Sequence, residues 1–418
     1  RKPDSTRPVQ LRGTKGHRMS PPPPTARRPI VIAAGGTGGH FIPAEALARA
    51  LADRGHPIAL MTDRRAGTRD HGIFAQGQQF VLPGAGIAGH GLARAARAAL
   101  ALAQGTLQAR AILRRLNAAA VVGFGGYPSV PPLLGARLLG RHRPLIVLHE
   151  GNAVLGQANA QLARFADGIA TSFPQVARLP KDARTTLTGM PVRDAIAALH
   201  DQPYTPPKAE IRLLVWGGSL GARVFSDVVP DAISRLPDAL RARLRITQQA
   251  RAEDIERVRA AYAALGIPAE ISPFFADVPA LLKAAHLVIG RAGGSSVAEL
   301  TDSGRPAILV PLPIAASDEQ GANAASLVAA GAAWMIRQPD FTAQTLARQL
   351  DSLLSAPTIL TDAAAAARSL GRPDAARRLA DLVEGLLHHR PDPAYPTAAH
   401  PAAHPAATPT AAKTETTS

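Results

Sequence analysis

Val31-Ile-Ala-Ala-Gly-Gly-Thr-Gly-Gly-His40 is an apolar run that ends in four glycines, a threonine and a histidine. The run has the length of a buried strand, and apolar residues at helical spacing follow over 42–54, up to Gly55. Glycines let the backbone turn sharply and approach a ligand closely, because no Cβ intervenes. A helix start behind such a turn presents unpaired N–H groups and a partial positive charge, which suits an anion. A second strand over 57–62, ending in Asp63, completes a βαβ unit. That unit implies a parallel sheet with helices on its faces.

The same grammar runs down the chain. Strands are expected at 119–124, ending in Gly125-Gly-Tyr-Pro-Ser129, and at 144–148, ending in His149-Glu-Gly-Asn152. Two more lie at 168–172 and 185–188, with a helix over 91–116. A Pro-rich linker composition occupies 198–209, and then the pattern restarts. The strand 211–216 ends in Gly217-Gly-Ser-Leu-Gly221, and the strand 287–290 ends in Arg291-Ala-Gly-Gly-Ser-Ser296. Strands at 244–248 and 307–310 and helices at 251–265 and 322–329 fill the second half. The fold class is α/β: two Rossmann-like, doubly wound domains facing across a cleft, with ligands at the strand C-termini.

The 418 residues suit two domains, and 46% hydrophobic content allows two sizeable cores. The absence of cysteine excludes disulfides, thiolate metal sites and a cysteine nucleophile. The net charge of +16 is unevenly placed: residues 1–28 carry eight Lys/Arg against one Asp, in a Pro-rich tail expected to be disordered. Residues beyond about 389 read as a second disordered, Pro/Ala-rich tail. Aromatic residues are only 4%, with no zinc finger or RNA-binding aromatic motif, so no nucleic-acid partner is expected despite the charge. No apolar run reaches the ~18–20 residues of a membrane span.

Each motif has a plain structural reading beside its functional one. A dinucleotide site at Gly35–Gly39 is weakened by Phe41, which stands where a third glycine belongs. A P-loop is excluded, because no Gly-Lys-Ser/Thr occurs. No two aspartates stand two apart, so a metal-binding Asp-x-Asp is lacking. A diphosphate would then be neutralised by helix starts near 219–222 and 293–297, with no cofactor required. Ser296-Val-Ala-Glu299 has capping-box spacing, which favours a helix cap over a ligand contact. His40 is a helix-start residue or a general base. Glu150 and Asn152 are a polar loop start or site residues. Asp318, Gln320 and Asn323 suit sugar hydroxyls and equally suit a helix cap.

The ordered set of strings resembles one family. It comprises Gly35–His40, Gly125–Ser129, His149–Asn152, Gly189-Met-Pro-Val-Arg193, Gly217-Gly-Ser-Leu-Gly-Ala-Arg223, Arg291–Glu299 and Asp318-Glu-Gln-Gly-Ala-Asn323, over about 29–388. The resemblance is to the MurG family of bacterial peptidoglycan N-acetylglucosaminyltransferases, in glycosyltransferase family 28. It implies the GT-B fold, with an acceptor and membrane domain at 29–192, a UDP-sugar domain at 193–371, and a helix at about 372–388 returning to the first domain. It also implies inverting transfer of N-acetylglucosamine from UDP-N-acetylglucosamine to the C4 hydroxyl of lipid I, giving lipid II.

Residue by residue, the resemblance places Thr37, Gly38, Gly39, Asn152, Arg193, Ser219, Phe275, Gly294, Ser295, Ser296, Glu299 and Gln320 at UDP-N-acetylglucosamine. Glu299 matches the acid that holds the ribose hydroxyls, and Gln320 the glutamine that reads the donor sugar. Gly36, Tyr127 and Asn323 fall on the acceptor side, and His40 matches the proposed base. The implied partners are the donor, lipid I, the anionic inner leaflet and other cell-wall enzymes, with the protein peripheral on the cytoplasmic face of the inner membrane. Thr247-Gln-Gln-Ala250 lacks the family's usual histidine, and Gly151 replaces its usual glutamine. On helix 91–116, Leu92, Ala96, Ala99, Leu100, Ala103, Leu107, Ala111 and Leu116 share a face. With Arg94 and Arg97 that face is either a lipid-facing patch or the face packed on the sheet.

Overall fold

The structure, a computed structural model, describes residues 27–35, 38–83, 92–218, 221–313 and 317–389, with only the backbone of 92–94. Most of the two tails, and Gly36, Thr37, Ser219 and the side chains of Leu92 and Arg94, lie outside the described residues.

The first half forms one sheet from β1 (Ile30–Ala33), β2 (Ile58–Asp63), β3 (Gln78–Leu82), β4 (Ala120–Gly123), β5 (Leu145–Glu150), β6 (Gly168–Thr171) and β7 (Thr185–Leu187), in the order β3-β2-β1-β4-β5-β6-β7. The second half forms another from β8 (Ile211–Trp216), β9 (Leu244–Gln249), β10 (Ala269–Ser272), β11 (Leu287–Gly290), β12 (Ala307–Leu309) and β13 (Ala333–Met335), in the order β10-β9-β8-β11-β12-β13. Every pairing is parallel. The winding direction reverses beside β1 in one sheet and beside β8 in the other. Those are the strands that end in the two glycine turns, so both turns stand at switch points, where open α/β sheets leave a crevice.

Three strands escape the sequence reading: β3, β10 and β13. All are edge strands. They are short or half exposed, as in Gln78-Gln-Phe-Val-Leu82, so no continuous apolar run announces them. Central strands such as β1 and β4 are buried throughout and are legible for that reason.

The helix Leu92–Leu116 forms as expected, and of the two readings of its apolar face the one that packs it on the sheet does not hold. Gly105, Thr106, Ala109, Ile112 and Leu113 are the buried residues. Ala96, Ala99, Leu100, Ala103, Leu107 and Ala111 are exposed, Leu100 at 60% and Leu107 at 59%. The helix carries two apolar stripes, and the one more conspicuous in sequence faces outward. Leu138, at the end of the neighbouring helix Val130–Arg137, is exposed as well.

The helix Ala375–His388 crosses back to the first sheet. Its Leu379, Ala380 and Val383 are buried with Ile30, Leu47 and Leu51 in one cluster. Burying a Leu or Val side chain stabilises by ~1.5–3 kcal/mol. A polar clamp closes the contact: Arg54 binds Glu384 at 2.6 Å and Asp381 at 2.8 Å, and His56 Nε2 stands 2.8 Å from Glu384 Oε1. The hydrogen bond with His56 holds the Glu384 carboxyl below its ordinary pKa; burial opposes it, and Arg54 adds to the lowering. A depressed folded-state pKa gives stability that is present above the unfolded pKa and lost as pH falls through the folded one. Glu384→Gln should therefore unfold at lower urea than the parent at neutral pH, by about 1 kcal/mol for this half-exposed clamp. The gap should shrink as pH falls through the ordinary glutamate range and close once pH is below the depressed folded-state pKa; a gap that acid leaves unchanged would show that the clamp acts by packing alone.

Candidate active site

The two switch points meet across the cleft. The helix Gly38–Asp53 follows β1, and the helix Gly294–Ser303 follows β11. Ser295 Oγ donates to the Gly39 carbonyl at 3.3 Å. That carbonyl is available because Pro43, four residues on, has no N–H to give it. The first helix thus starts earlier than the periodicity suggests, with a proline inside it that leaves one carbonyl to the opposite domain. Gly294 lies so close to Gly151 that an added Cβ would stand 2.1 Å from the Gly151 carbonyl oxygen. Any side chain at 294 would push the domains apart.

Asn323, from the helix Glu319–Ala329, joins the halves from below. It is fully buried. Its Oδ1 accepts from Ala153 N at 2.7 Å, and its Nδ2 donates to Asn152 Oδ1 at 3.0 Å and to the Ala292 carbonyl at 2.9 Å. The expectation that Asn323 faces an acceptor is corrected: its carboxamide is consumed in bridging the domains. Asn152 is tied in the same network, its Nδ2 donating to Glu150 Oε1 at 3.2 Å.

On the second domain's side, Glu299 accepts from Arg193 at 3.1 Å. Burial raises the Glu299 pKa, and Arg193 opposes the rise. The capping-box expectation for Ser296 and Glu299 is also corrected. The helix starts at Gly294 after an extended Gly293, so both residues lie inside it, and Glu299 turns to Arg193 instead. Ser296 and Glu299 line a small depression with Trp216, Val278 and Gly290. The rings of Phe275 and Trp216 tilt together at 6.5 Å between centroids. Gln249, part of the strand end that departs from the family pattern, binds Gly217 N through Oε1 at 3.1 Å and the Pro273 carbonyl through Nε2 at 3.2 Å. It braces the ends of β8, β9 and β10 where the usual histidine is missing. Gln320 Oε1 accepts from Ala292 N at 3.2 Å and Leu312 N at 3.0 Å, so its amide NH2 is the end left to donate.

On the first domain's side, a cavity of about 480 Å³ is lined by His40, Tyr127, Glu150, Asn152, Gln161 and Glu319, among others. The His40 ring packs on Gly125 and Gly126, which have φ of 81° and 66°. Only glycine adopts two such turns without strain, and the missing side chains make room for the imidazole. Burial lowers the His40 pKa, opposed by the Phe124 carbonyl and by Glu319, so the ring is neutral at ordinary pH. His149, deeper in the sheet, is pulled down to about 4 by burial, against a hydrogen bond to the Gly189 carbonyl. Burial raises the Glu150 pKa, and donors at Gly156 N, Asn159 and Asn152 counter it. The Tyr127 hydroxyl is buried with no partner among the described residues.

Sequence reading misses three features here. Glu319 is hidden in the string Asp318-Glu-Gln, whose polar character also suits a helix start. The Arg193–Glu299 pair spans 106 residues, and no local pattern announces it. Gly151, noted only as a departure, sits against Met190, whose Cε would lie 2.4 Å from a Cβ at that position.

The model of the glycosyltransferase family 28 N-terminal domain matches residues 30–171, and that of its C-terminal domain matches 212–379. A relative from Gluconobacter oxydans is 63% identical over 85% of this chain and 97% of its own length. One from Granulibacter bethesdensis is 60% identical over 84% of this chain and 92% of its own. Both are named UDP-N-acetylglucosamine--N-acetylmuramyl-(pentapeptide) pyrophosphoryl-undecaprenol N-acetylglucosamine transferase. The crystal structure of Acinetobacter baumannii MurG is 29% identical, with a TM-score of 0.69, covering 86% of this chain and 99% of that one. The glycosyltransferase of kitacinnamycin, 19% identical with a TM-score of 0.61, shares the fold. With two family models covering most of its length and relatives this similar, the chain belongs to glycosyltransferase family 28, with the two-domain GT-B architecture and the MurG-type enzymes among its relatives.

Proposed function

We propose that this chain transfers N-acetylglucosamine from UDP-N-acetylglucosamine to the C4 hydroxyl of lipid I, with inversion, releasing lipid II and UDP. The observation that carries the reading is the meeting of two switch-point helix starts, with a polar pair on one side and a neutral histidine in a cavity on the other. The relatives' names supply the substrates.

In this reading the second domain holds the donor. Glu299, held in place by Arg193, accepts both ribose hydroxyls, and the depression beside Trp216 and Phe275 takes the base. Two helix starts in contact bring two partial positive charges together, and a diphosphate between them relieves that repulsion. The Gln320 NH2 donates to a hydroxyl of the transferred sugar. The acceptor's muramoyl group enters the 480 Å³ cavity. His40 takes the C4 proton as that oxygen attacks the anomeric carbon. The bond from that carbon to the phosphate oxygen breaks on the opposite face, and its electron pair leaves with UDP. No cofactor has a step in this scheme, since backbone dipoles and arginine neutralise the leaving group.

No helix among the described residues is long and apolar enough to cross a membrane. A lipid-linked acceptor still brings the enzyme to the inner leaflet. The exposed stripe at Leu100 and Leu107, with Leu138 nearby and arginines along the same helix, is the surface we assign to that contact.

Incubation with UDP-N-acetylglucosamine and a short-chain lipid I analogue should release UDP only when acceptor is present. Release should persist in EDTA; its complete loss there would contradict neutralisation by the chain's own groups. His40→Ala should lower kcat by about 10²–10⁴ with little change in donor Kd, whereas an effect on KM alone would reassign His40 to binding. Leu100→Ser with Leu107→Ser should weaken sedimentation with anionic vesicles and spare turnover of the water-soluble analogue. Unchanged vesicle binding would remove the stripe from the membrane contact.

A further inference from the structure

The cavity beside His40 is walled by the first domain except at one edge. There Ser317 and Glu319 enter from the second domain, at the start of the helix Glu319–Ala329. Glu319 Oε1 accepts from Ser317 Oγ at 3.1 Å. The same oxygen reaches across to Gly156, where an added Cβ would stand 3.9 Å from it and 3.5 Å from Glu150 Oε2. One turn along the helix, Asn323 fixes its position against Asn152 and Ala153. A carboxylate is thus carried over the cleft on a helix bolted to the opposite domain.

The groups facing His40 divide by element. From β5 come His149 and Glu150, and from the turn after β4 come Tyr127 and the Phe124 carbonyl. His149 is neutral. Glu150 is occupied by donors from Gly156 N at 2.9 Å, Asn159 Nδ2 at 2.9 Å, Asn152 N at 3.0 Å and Asn152 Nδ2 at 3.2 Å. Those four donors occupy the Glu150 carboxylate oxygens, and Glu150 is not among the groups that shift His40. Glu319 has one hydroxyl donor among the described residues, and it acts on His40 through charge.

Resting on the assignment of His40 as base, we propose that Glu319 is a positioning residue that stabilises the imidazolium formed when His40 takes the acceptor proton. The base is then complete only while the second domain lies closed on the first. Proton abstraction in an open cleft, where donor and acceptor are not yet aligned, is disfavoured by the same arrangement. This is the role a buried carboxylate plays beside a catalytic histidine in hydrolases, here supplied from the opposite domain.

His40 must be neutral to act, so the rate falls as pH drops below its pKa. Burial lowers that pKa and Glu319 opposes burial. Removing the negative charge should move the acid limb of the kcat profile to lower pH, by about half to one unit. The plateau should fall about 3- to 10-fold, because the imidazolium in the transition state loses its counter-charge.

The test is the pH profile of UDP release, with UDP-N-acetylglucosamine and a short-chain lipid I analogue, for the parent, Glu319→Gln, His40→Ala and the double variant. The proposal expects Glu319→Gln to shift the limb downward, lower kcat and leave donor KM alone. It also expects Glu319→Gln to add no further loss once His40 is alanine. An unmoved limb with unchanged kcat, a loss confined to acceptor KM, or a fully additive loss in the double variant would each overturn it. Should His40→Ala itself retain full kcat, the assignment of the base would fall; a silent Glu319→Gln beside a crippled His40→Ala would fell only the present proposal.

Discussion

The close approach of Gly294 to Gly151 is the constraint on which the rest of the site depends. Two helix starts, each with unpaired N–H groups and a partial positive charge, are held within hydrogen-bond reach of each other. Contact of that kind is unfavourable on its own and becomes favourable around an anion. Three details make it possible. Gly294 has no side chain to hold the domains apart. Pro43 leaves the Gly39 carbonyl without an in-helix donor, so Ser295 can use it. Asn323 satisfies groups from both domains at once. The two of its hydrogen bonds that cross to the first domain, with Ala153 N and Asn152 Oδ1, each contribute ~0.5–1.5 kcal/mol net, because water competes for the same groups when the cleft is open. The bias toward closure is therefore modest, which a cleft that must admit and release large substrates needs.

Electrostatics then divides the labour. The acidic groups near the cleft are treated differently by their surroundings. Glu299 is buried but paired with Arg193, Glu150 is buried but ringed by donors, and Glu319 reaches over from the other domain with a single hydroxyl donor among the described residues. Pairing with Arg193 opposes the burial that raises the Glu299 pKa and suits its carboxyl to accept hydroxyl hydrogen bonds. Ringing with dipoles suits Glu150 to shape the loop at 152–159. His40 and His149 are both neutral, but only His40 lines the cavity, whereas His149 is spent on the Gly189 carbonyl.

Much of the fold is legible from residues 30–63 alone, because central strands of a parallel sheet are buried on both faces and read as unbroken apolar runs. The repetition of a glycine-ended strand at 211–221 is equally visible. Edge strands such as β3 and β10 are not, since most of their residues are only partly buried and break the apolar run. The exposed stripe of Leu92–Leu116 shows a different limit: periodicity reveals an apolar face, but cannot say whether a sheet or something outside the chain covers it. The candidate site is legible as a set of strings, and its individual residues only in part. Local spacing favours a cap for Glu299, while its partner Arg193 arrives from a segment 106 residues away. Asn323 reads as a sugar ligand because a carboxamide at a strand end suits hydroxyls, yet the neighbouring domain uses it first.

If catalysis occurs in a cleft assembled from both domains, the bolt between them should matter to turnover more than to the donor. In this account the ribose, base and sugar contacts of the donor lie in the second domain, which keeps its own core, and only the diphosphate touches both domains. The most direct measurement is the kcat of Asn323→Ala with the lipid I analogue, beside its Kd for UDP-N-acetylglucosamine by titration calorimetry. The account predicts kcat lowered about tenfold or more with Kd changed less than about threefold. Unchanged kcat with a collapsed donor affinity would contradict it, and would make Asn323 part of a donor site that works without closure.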